Sequence, residues 1–502
     1  VARIVVVGAG VGGMAAAARL QVKRHQVTVV EASDAPGGAL ASRRRDGFTF
    51  DLGPNVFTLP AVYRDLFLKT GGALEASVEL VPLDPGSQHR FTDGKLTLPG
   101  VGVGRTAEAM GLAFGERAAD DWRALMTRAG QIWAAIRRPV LENAVASDAD
   151  LRDLLGDRST RRIVAARSTL RDLGRTLHDR RAGQVLDHYA LQTGADPRTA
   201  PGSLVTLPYV EATFGAWHIA GGLGSLAEAL RGRLEERGVT LLLGTRATRI
   251  VVRDGRITGV QVEAQAQRSA DQPRPTEVLD ADIVVTDLDP TLAAGLLGAD
   301  APRDRRTARS SWGAFQVLLA VRGRTPGVGH LTVWHPRDQD AELDALSGRR
   351  PRLAAHPTIR ACVPDDPAMR PADHESWTLE VTAPRHSRSA GTPGTVDWDV
   401  PGLAQRYADD LLAELAARGG PDLRDRILWR EVRTPADHER RTGAPGGATH
   451  GSTTRQRGLV RHVANVSPQP GLFHVGASAH PGSGLPLVGL SAELVATLIG
   501  RA

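Results

Sequence analysis

Ile4 to Val7 form a continuous apolar run rich in β-branched residues and closed by glycine, the pattern of a parallel strand buried on both faces. An Ala-rich helical stretch opens near Val11, and Val27 to Val30 give a second strand of the same kind. Strand, helix and strand in this order predict the first βαβ unit of a doubly wound α/β domain. Phe48 to Asp51 alternate as a strand before the turn at Gly53-Pro54. From about 100 to 210 the apolar spacing is mostly helical, with 116–141 and 168–192 as two long amphipathic candidates. A helix after Gly221-Gly222, a strand, and a hairpin through Asp254-Gly255 follow, and 281–297 reads as a returning strand and helix. Between them, 264–277 is polar and proline-bearing, as a surface loop is. Beyond about 301 the pattern turns to alternating strands at 312–323 and 376–386, then a helix over 402–420. Last come a strand at Leu472 to Val475, a glycine-rich loop, and a helix from near Pro486, a residue suited to a helix's first turn.

Candidate chemistry begins where the first strand turns into its helix. Gly8, Gly10 and Gly13 make G-x-G-x-x-G. The first glycine permits the tight turn, the second lets a diphosphate approach the backbone, and the third lets helix and strand pack closely. The free N–H groups and positive dipole end of the helix then face the phosphates. Glu31 ends the second strand, where its carboxylate can accept from ribose hydroxyls and would repel a 2′-phosphate, which disfavours NADP. Arg24 occupies the turn between helix and strand, a place that favours glycine in the left-handed region.

Composition narrows the class. A chain of 502 residues has room for two or more domains. The lone cysteine, Cys362, excludes an internal disulfide framework, and with no H-E-x-x-H no metal centre is expected. The formal charge of +6 is carried almost wholly by arginine, with lysine only at Lys23, Lys69 and Lys95. A basic surface suits nucleic acid or anionic lipid, yet no nucleic-acid module is recognisable and no such partner is expected. The arginine-rich runs 302–310 and 347–352 read as solvated loops. No apolar run reaches the roughly 18 residues that span a bilayer, and no leader-like segment precedes the first strand. These features predict a protein that is soluble or lies on a membrane surface. The amphipathic helix of 116–141 would present Trp122, Ile132 and Trp133 to lipid and Arg137 and Arg138 to headgroups; ordinary core packing is the alternative.

Three segments together carry a family resemblance. The strand ending Glu31-Ala32, the pair Gly37-Gly38 and the run from Asp46 through Asp51 to Gly53-Pro54 resemble the FAD-binding opening of the phytoene desaturase, or bacterial carotenoid desaturase, family, a branch of the amine-oxidase-like flavoproteins. W-x-x-x-G-G at Trp217 to Gly222 resembles its second flavin segment, and V-G-A-x-x-H-P-G-x-G-x-P-x-V at Val475 to Val488 its closing motif. The resemblance implies a Rossmann-like FAD-binding domain assembled from 1–100, 214–300 and 454–502. A helical substrate or membrane-facing region at 101–213 and an α+β substrate region at 301–453 would complete the chain. FAD would be held by Gly8, Gly10, Gly13, Glu31, Gly37, Gly38, Gly53, the backbone of Ala247, Gly476, and the amides of Leu487 and Val488. Those last amides would stabilise negative charge on reduced flavin. Many relatives carry Arg or Lys after the glycine pair; here Ala39 stands there, with Arg43, Arg44 or Arg45 as the expected replacements. His480 and His218 are the polar side chains expected nearest the flavin, and Asp51 is expected to cap its own turn.

The implied activity is desaturation of a long polyene, a hydrophobic carotenoid, by hydride transfer to flavin N5, in a cytoplasmic protein peripheral to the inner face of the cell membrane. A related flavoprotein isomerase, saturase or amine oxidase, and a non-catalytic lipid-binding escort, remain open on the same scaffold.

Overall fold

A computed structural model of the protein describes all residues except 148–149, 151–152, 157, 165–167, 265–275, 299–310, 349, 390, 452–453 and 457–458. Most of the polar loop at 264–277, the arginine-rich run 302–310 and residue 349 of the second run therefore lie outside the described residues.

Five parallel strands form the first sheet, in the order Thr240–Leu242, Gln26–Val30, Arg3–Val7, Ile283–Thr286 and Leu472–His474. The first strand sits in the middle because its side chains are apolar on both faces. Ile4 and Val6 enter a core shared with the helices Val11–Val22 and Leu485–Ile499. Val5 and Val7 enter a second core, under the antiparallel strands Thr245–Arg253, Arg256–Ala264 and Thr276–Asp280. The helix Val11–Val22 is buried from Val11 to Leu20, which its alanines allow: small side chains let it lie between the sheet and the closing helix. Gly13 sets that approach, since a Cβ there would stand 2.1 Å from the Gly8 carbonyl oxygen. Arg24 does adopt the left-handed region, at φ 73°, and so do Asp254 and Gly255 in the hairpin.

A seven-stranded sheet forms the second layer, in the order Ile427–Arg433, Gly313–Arg322, His374–Ala383, Ile359–Cys362, Leu331–Trp334, Ser87–Phe91 and Gly94–Leu98. The hairpin of its last two strands comes from the segment assigned by sequence to the cofactor domain. It joins this sheet instead, through a parallel pairing of Thr332 with Gln88. The helix Leu403–Ala417 covers one face with Tyr407, Leu411 and Leu415.

The helical region packs around its own core, which corrects the lipid-facing reading of 116–141. Trp122 is 1% exposed and Ile132 2%, so the apolar stripe of the helix Glu116–Ile136 faces inward. Trp133 is half-buried, and of the five residues expected at a membrane only Arg137 and Arg138 are exposed, in the π-helical turn that follows. The second candidate, 168–192, is two helices rather than one. Thr169 and Asp172 make a capping box at Leu170–Gly174, and Asp179 starts Arg180–Gln192 by accepting from the Arg181 N–H at 2.8 Å. Among the described residues no helix is long and apolar enough to cross a membrane.

Candidate cofactor and active site

A cavity of about 1760 Å³ is lined from all three parts of the fold. That exceeds the 300–1,000 Å³ usual for one small ligand, leaving room for a dinucleotide and a substrate together. Gly8, Gly10, Glu31, Gly37, Gly38, Gly53 and Ala247 line it, as do His480, Leu487 and Val488.

The glycine loop is built so that no side chain fits. A Cβ at Gly10 would lie 2.4 Å from Asp287 Oδ2, and one at Gly12 2.8 Å from the Gly476 Cα. Gly53 would meet the Ala39 carbonyl oxygen at 2.2 Å. Gly13 and Gly476 are not in the cavity wall; they support it by closing on Gly8 and on Asp287. Glu31 is fixed by the loop itself. Its Oε2 accepts from the Ala9 N–H at 2.8 Å, and its Oε1 from the Ser33 N–H and hydroxyl at 2.8 and 2.7 Å. A carboxylate has about four acceptor positions, so capacity remains for ribose hydroxyls.

Two helices begin on this cavity with no cap from their own N-cap glycine and no acid in their first turns: Val11–Val22 after Gly10, where the Gly13 N–H is taken by Asp287, and Leu485–Ile499 after Gly484. Helix starts of this kind leave N–H donors and the positive dipole end for an anion. The residues thus fit FAD, with the glycine-lined start of one helix for a diphosphate and the start of the other for charge on reduced flavin. One expected donor changes: the Val488 N–H donates to the Gly484 carbonyl at 3.0 Å, and with Pro486 lacking an N–H the remaining first-turn donors are Leu485 and Leu487.

His480 borders the cavity with Nε2 at 2.8 Å from the Val140 carbonyl and 3.0 Å from that of Asn143. Both partners are acceptors, so this nitrogen carries the proton, and burial lowers the pKa of the ring. His218 does not line the cavity. It meets Asp366 at 2.9 Å, and that carboxylate also accepts the Gly221 N–H at 2.7 Å. Asp51 does not cap its own turn. It accepts the N–H groups of Leu223 and Gly224 at 2.8 and 3.2 Å, because pairing of Phe48–Asp51 with Ser42–Arg45 points it at the start of the helix Gly224–Glu236. The same hairpin carries Arg43 to Glu431, at 2.7 Å, and Arg45 to Asp46 and Trp429. None of Arg43, Arg44 and Arg45 borders the cavity.

Three further groups at the cavity carry little mark in the sequence. Asp287, at the end of Ile283–Thr286, lies among Gly10, Gly12 and Gly476 and accepts the Gly13 N–H at 2.9 Å. Burial and the nearby Glu31 charge push it up to about 7, against the Gly13 hydrogen bond. The signal available was topological: a strand beside the first in a parallel sheet ends at the glycine loop. Glu211 sits in a wall of hydrocarbon that includes Trp133, Ile136, Val140, Leu204 and Leu207. Tyr189 Oη donates to it at 3.1 Å, and burial pushes its carboxyl up to about 7. A lone glutamate in the apolar stretch Leu207–Phe214 was its only mark. Arg441, the third, reaches the cavity from the helix Pro435–Thr442.

Comparison with known proteins agrees with this geometry. Residues 11–273 match the family model described as flavin containing amine oxidoreductase. The chain is 30% identical to a hydroxyneurosporene desaturase of Rubrivivax gelatinosus, over 98% of this chain and 92% of that one. It is 29% identical to a zeta-carotene-forming phytoene desaturase of Myxococcus xanthus, over 98% and 93%. Among solved structures, an engineered putrescine oxidase superposes with a TM-score of 0.65 at 14% identity, covering 100% of this chain and 99% of that one, which speaks for the fold alone. The chain belongs to the flavin containing amine oxidoreductase family, within its carotenoid desaturase branch, and is an FAD-dependent oxidoreductase.

Proposed function

We propose that the protein desaturates a long polyene of the carotenoid class. The observation that carries this reading is the continuity of one cavity from a dinucleotide cradle at Gly8–Gly10 to the hydrocarbon wall of Trp133, Ile136, Leu204 and Leu207. When bound, FAD supplies a two-electron acceptor. The wall binds the substrate by removing its apolar surface from water, at roughly 25 cal/mol per Å². It also aligns a flexible chain and excludes water from the reacting carbons. The Leu485 and Leu487 N–H groups offer fixed donors at the cavity margin, where preorganised dipoles act without reorganisation. His480 acts as a positioning residue, since its Nε2 proton joins the closing loop to the Val140–Asn143 turn.

Expression in hosts accumulating phytoene, neurosporene or lycopene, followed by pigment spectra, tests the reading. A bathochromic shift in one host is the expected result. Unchanged polyenes in all three, with FAD-loaded protein present, would overturn it. We further propose uptake of this insoluble substrate at an anionic membrane surface, supported by the net charge of +6. The protein should then float with anionic liposomes at low salt and be released by high salt; failure to float removes the membrane step and leaves the desaturase reading standing.

A further inference from the structure

We propose that Arg441 is the cation that holds the cofactor's diphosphate, reaching it from the helix Pro435–Thr442 rather than from the glycine loop. This rests on the assignment of FAD and is independent of which hydrocarbon is oxidised.

The cradle is short of positive charge. Glu31 and Asp287 both border it, and no lysine or arginine from residues 8–60 lines the cavity. A helix start supplies only about half a charge, and here one of its N–H groups, that of Gly13, is already taken by Asp287. Among the described residues six arginines line the cavity: Arg198, Arg246, Arg360, Arg433, Arg440 and Arg441. Four are held by carboxylates: Arg198 by Asp196 and Asp344, Arg360 by Glu380, Arg433 by Glu431, and Arg440 by Asp437 and Asp399. Arg246 is also engaged. Arg441 has no carboxylate at ion-pair distance among the described residues.

Its contacts leave most of its donors unspent. Nη1 donates to the Gly38 carbonyl at 2.5 Å, Nη2 to His438 Nδ1 at 3.2 Å, and Nε is buried with no partner. A guanidinium has five N–H groups, so three remain. Burial, with Arg433 nearby, pushes the group down to about 10, which still leaves it cationic at neutral pH. Burial pushes His438 down to about 3, so its ring is neutral and its Nδ1 accepts and orients the fork. A half-buried cation without a counter-ion is stabilised when an anion arrives. The place is apt for one: Gly38, to which Arg441 is tied, packs on the glycine loop so closely that a Cβ there would lie 3.2 Å from the Gly10 Cα. A capping box of Thr434 and Asp437 fixes the start of the helix that bears it.

The test is FAD binding to apo-protein, titrated at low and high salt. Arg441→Gln should weaken FAD roughly 10- to 100-fold, the range for losing hydrogen bonds to a charged group. It should also flatten the salt dependence, because the screened charge pair is gone. Arg441→Lys, which keeps the charge but not the fork, should lose less affinity and keep the wild-type salt slope. Adding Ala39→Arg to Arg441→Gln should restore affinity by returning a cation to the glycine-pair loop. Unchanged FAD affinity in Arg441→Gln, or a loss with the wild-type salt slope, would overturn the proposal and reduce Arg441 to a clip on Gly38. Should Arg441→Gln lower the melting temperature of the apo-protein, Arg441→Lys decides alone: the wild-type salt slope with a loss smaller than that of Arg441→Gln supports a charge role, and an altered slope or a loss as large overturns it.

Discussion

Asp287 shows how a single side chain can set the pH response of the apo-protein. Its ordinary value is 3.8 and burial in the glycine cradle raises it to about 7. Between those values the folded chain holds a proton that the unfolded chain releases, so this group's contribution to stability falls as pH rises from about 4 to 7. Asp287→Asn keeps an acceptor for the Gly13 N–H and cannot ionise. Its melting temperature should gain on wild type more at about pH 7.5 than at about pH 4.5; an equal gap at both would show that Asp287 does not titrate there. Glu211 makes a different demand, because it satisfies the buried Tyr189 hydroxyl. Glu211→Leu should cost about 1–3 kcal/mol by orphaning that group. Denaturant unfolding of the double variant with Tyr189→Phe should recover most of the loss, as coupled partners do.

The closing helix is the element on which the flavin end of the site depends. Its N-cap, Gly484, has φ 102° and ψ 143°, a conformation that side chains resist even though a Cβ would meet nothing within 4 Å. Gly484→Val should therefore act through the backbone, costing about 1–3 kcal/mol and displacing the Leu487 N–H. His480→Ala loses the hydrogen bonds to the Val140–Asn143 turn. Flavin content and single-turnover reduction should thus be worse in Gly484→Val than in His480→Ala, where a loss nearer 10²-fold suits a positioning role. A His480→Ala protein that keeps its flavin but is never reduced by substrate would instead make His480 a proton acceptor. Local spacing made this element legible: the strand, the glycines and Pro486 follow one another in the chain. The destination of Val488's N–H was not legible, because it depends on where the first helical hydrogen bond closes.

At the scale of the whole molecule, the cavity wall draws on residues from Val7 to Val488, so cofactor binding should stabilise every layer together. At FAD about 100-fold above its dissociation constant the gain should be about 2.7 kcal/mol. Calorimetry should then show the holo-protein unfolding at a higher temperature in one transition; an unshifted transition for the seven-stranded sheet would separate that layer from the site. What the sequence by itself determined is local. The G-x-G-x-x-G turn, Glu31, the βαβ order and the closing motif all follow from periodicity and from the few residues that such turns accept. The tertiary structure decided what depends on distant pairing. It turned Trp122 and Ile132 inward, took the hairpin Ser87–Leu98 into the second sheet, and sent Asp51 to the start of another helix. It also set Asp287, Glu211 and Arg441 on one cavity, although they are far apart in the chain. Spacing within a segment cannot encode such meetings, because a side chain's surroundings are fixed by the burial and hydrogen-bond demands of every segment packed against it.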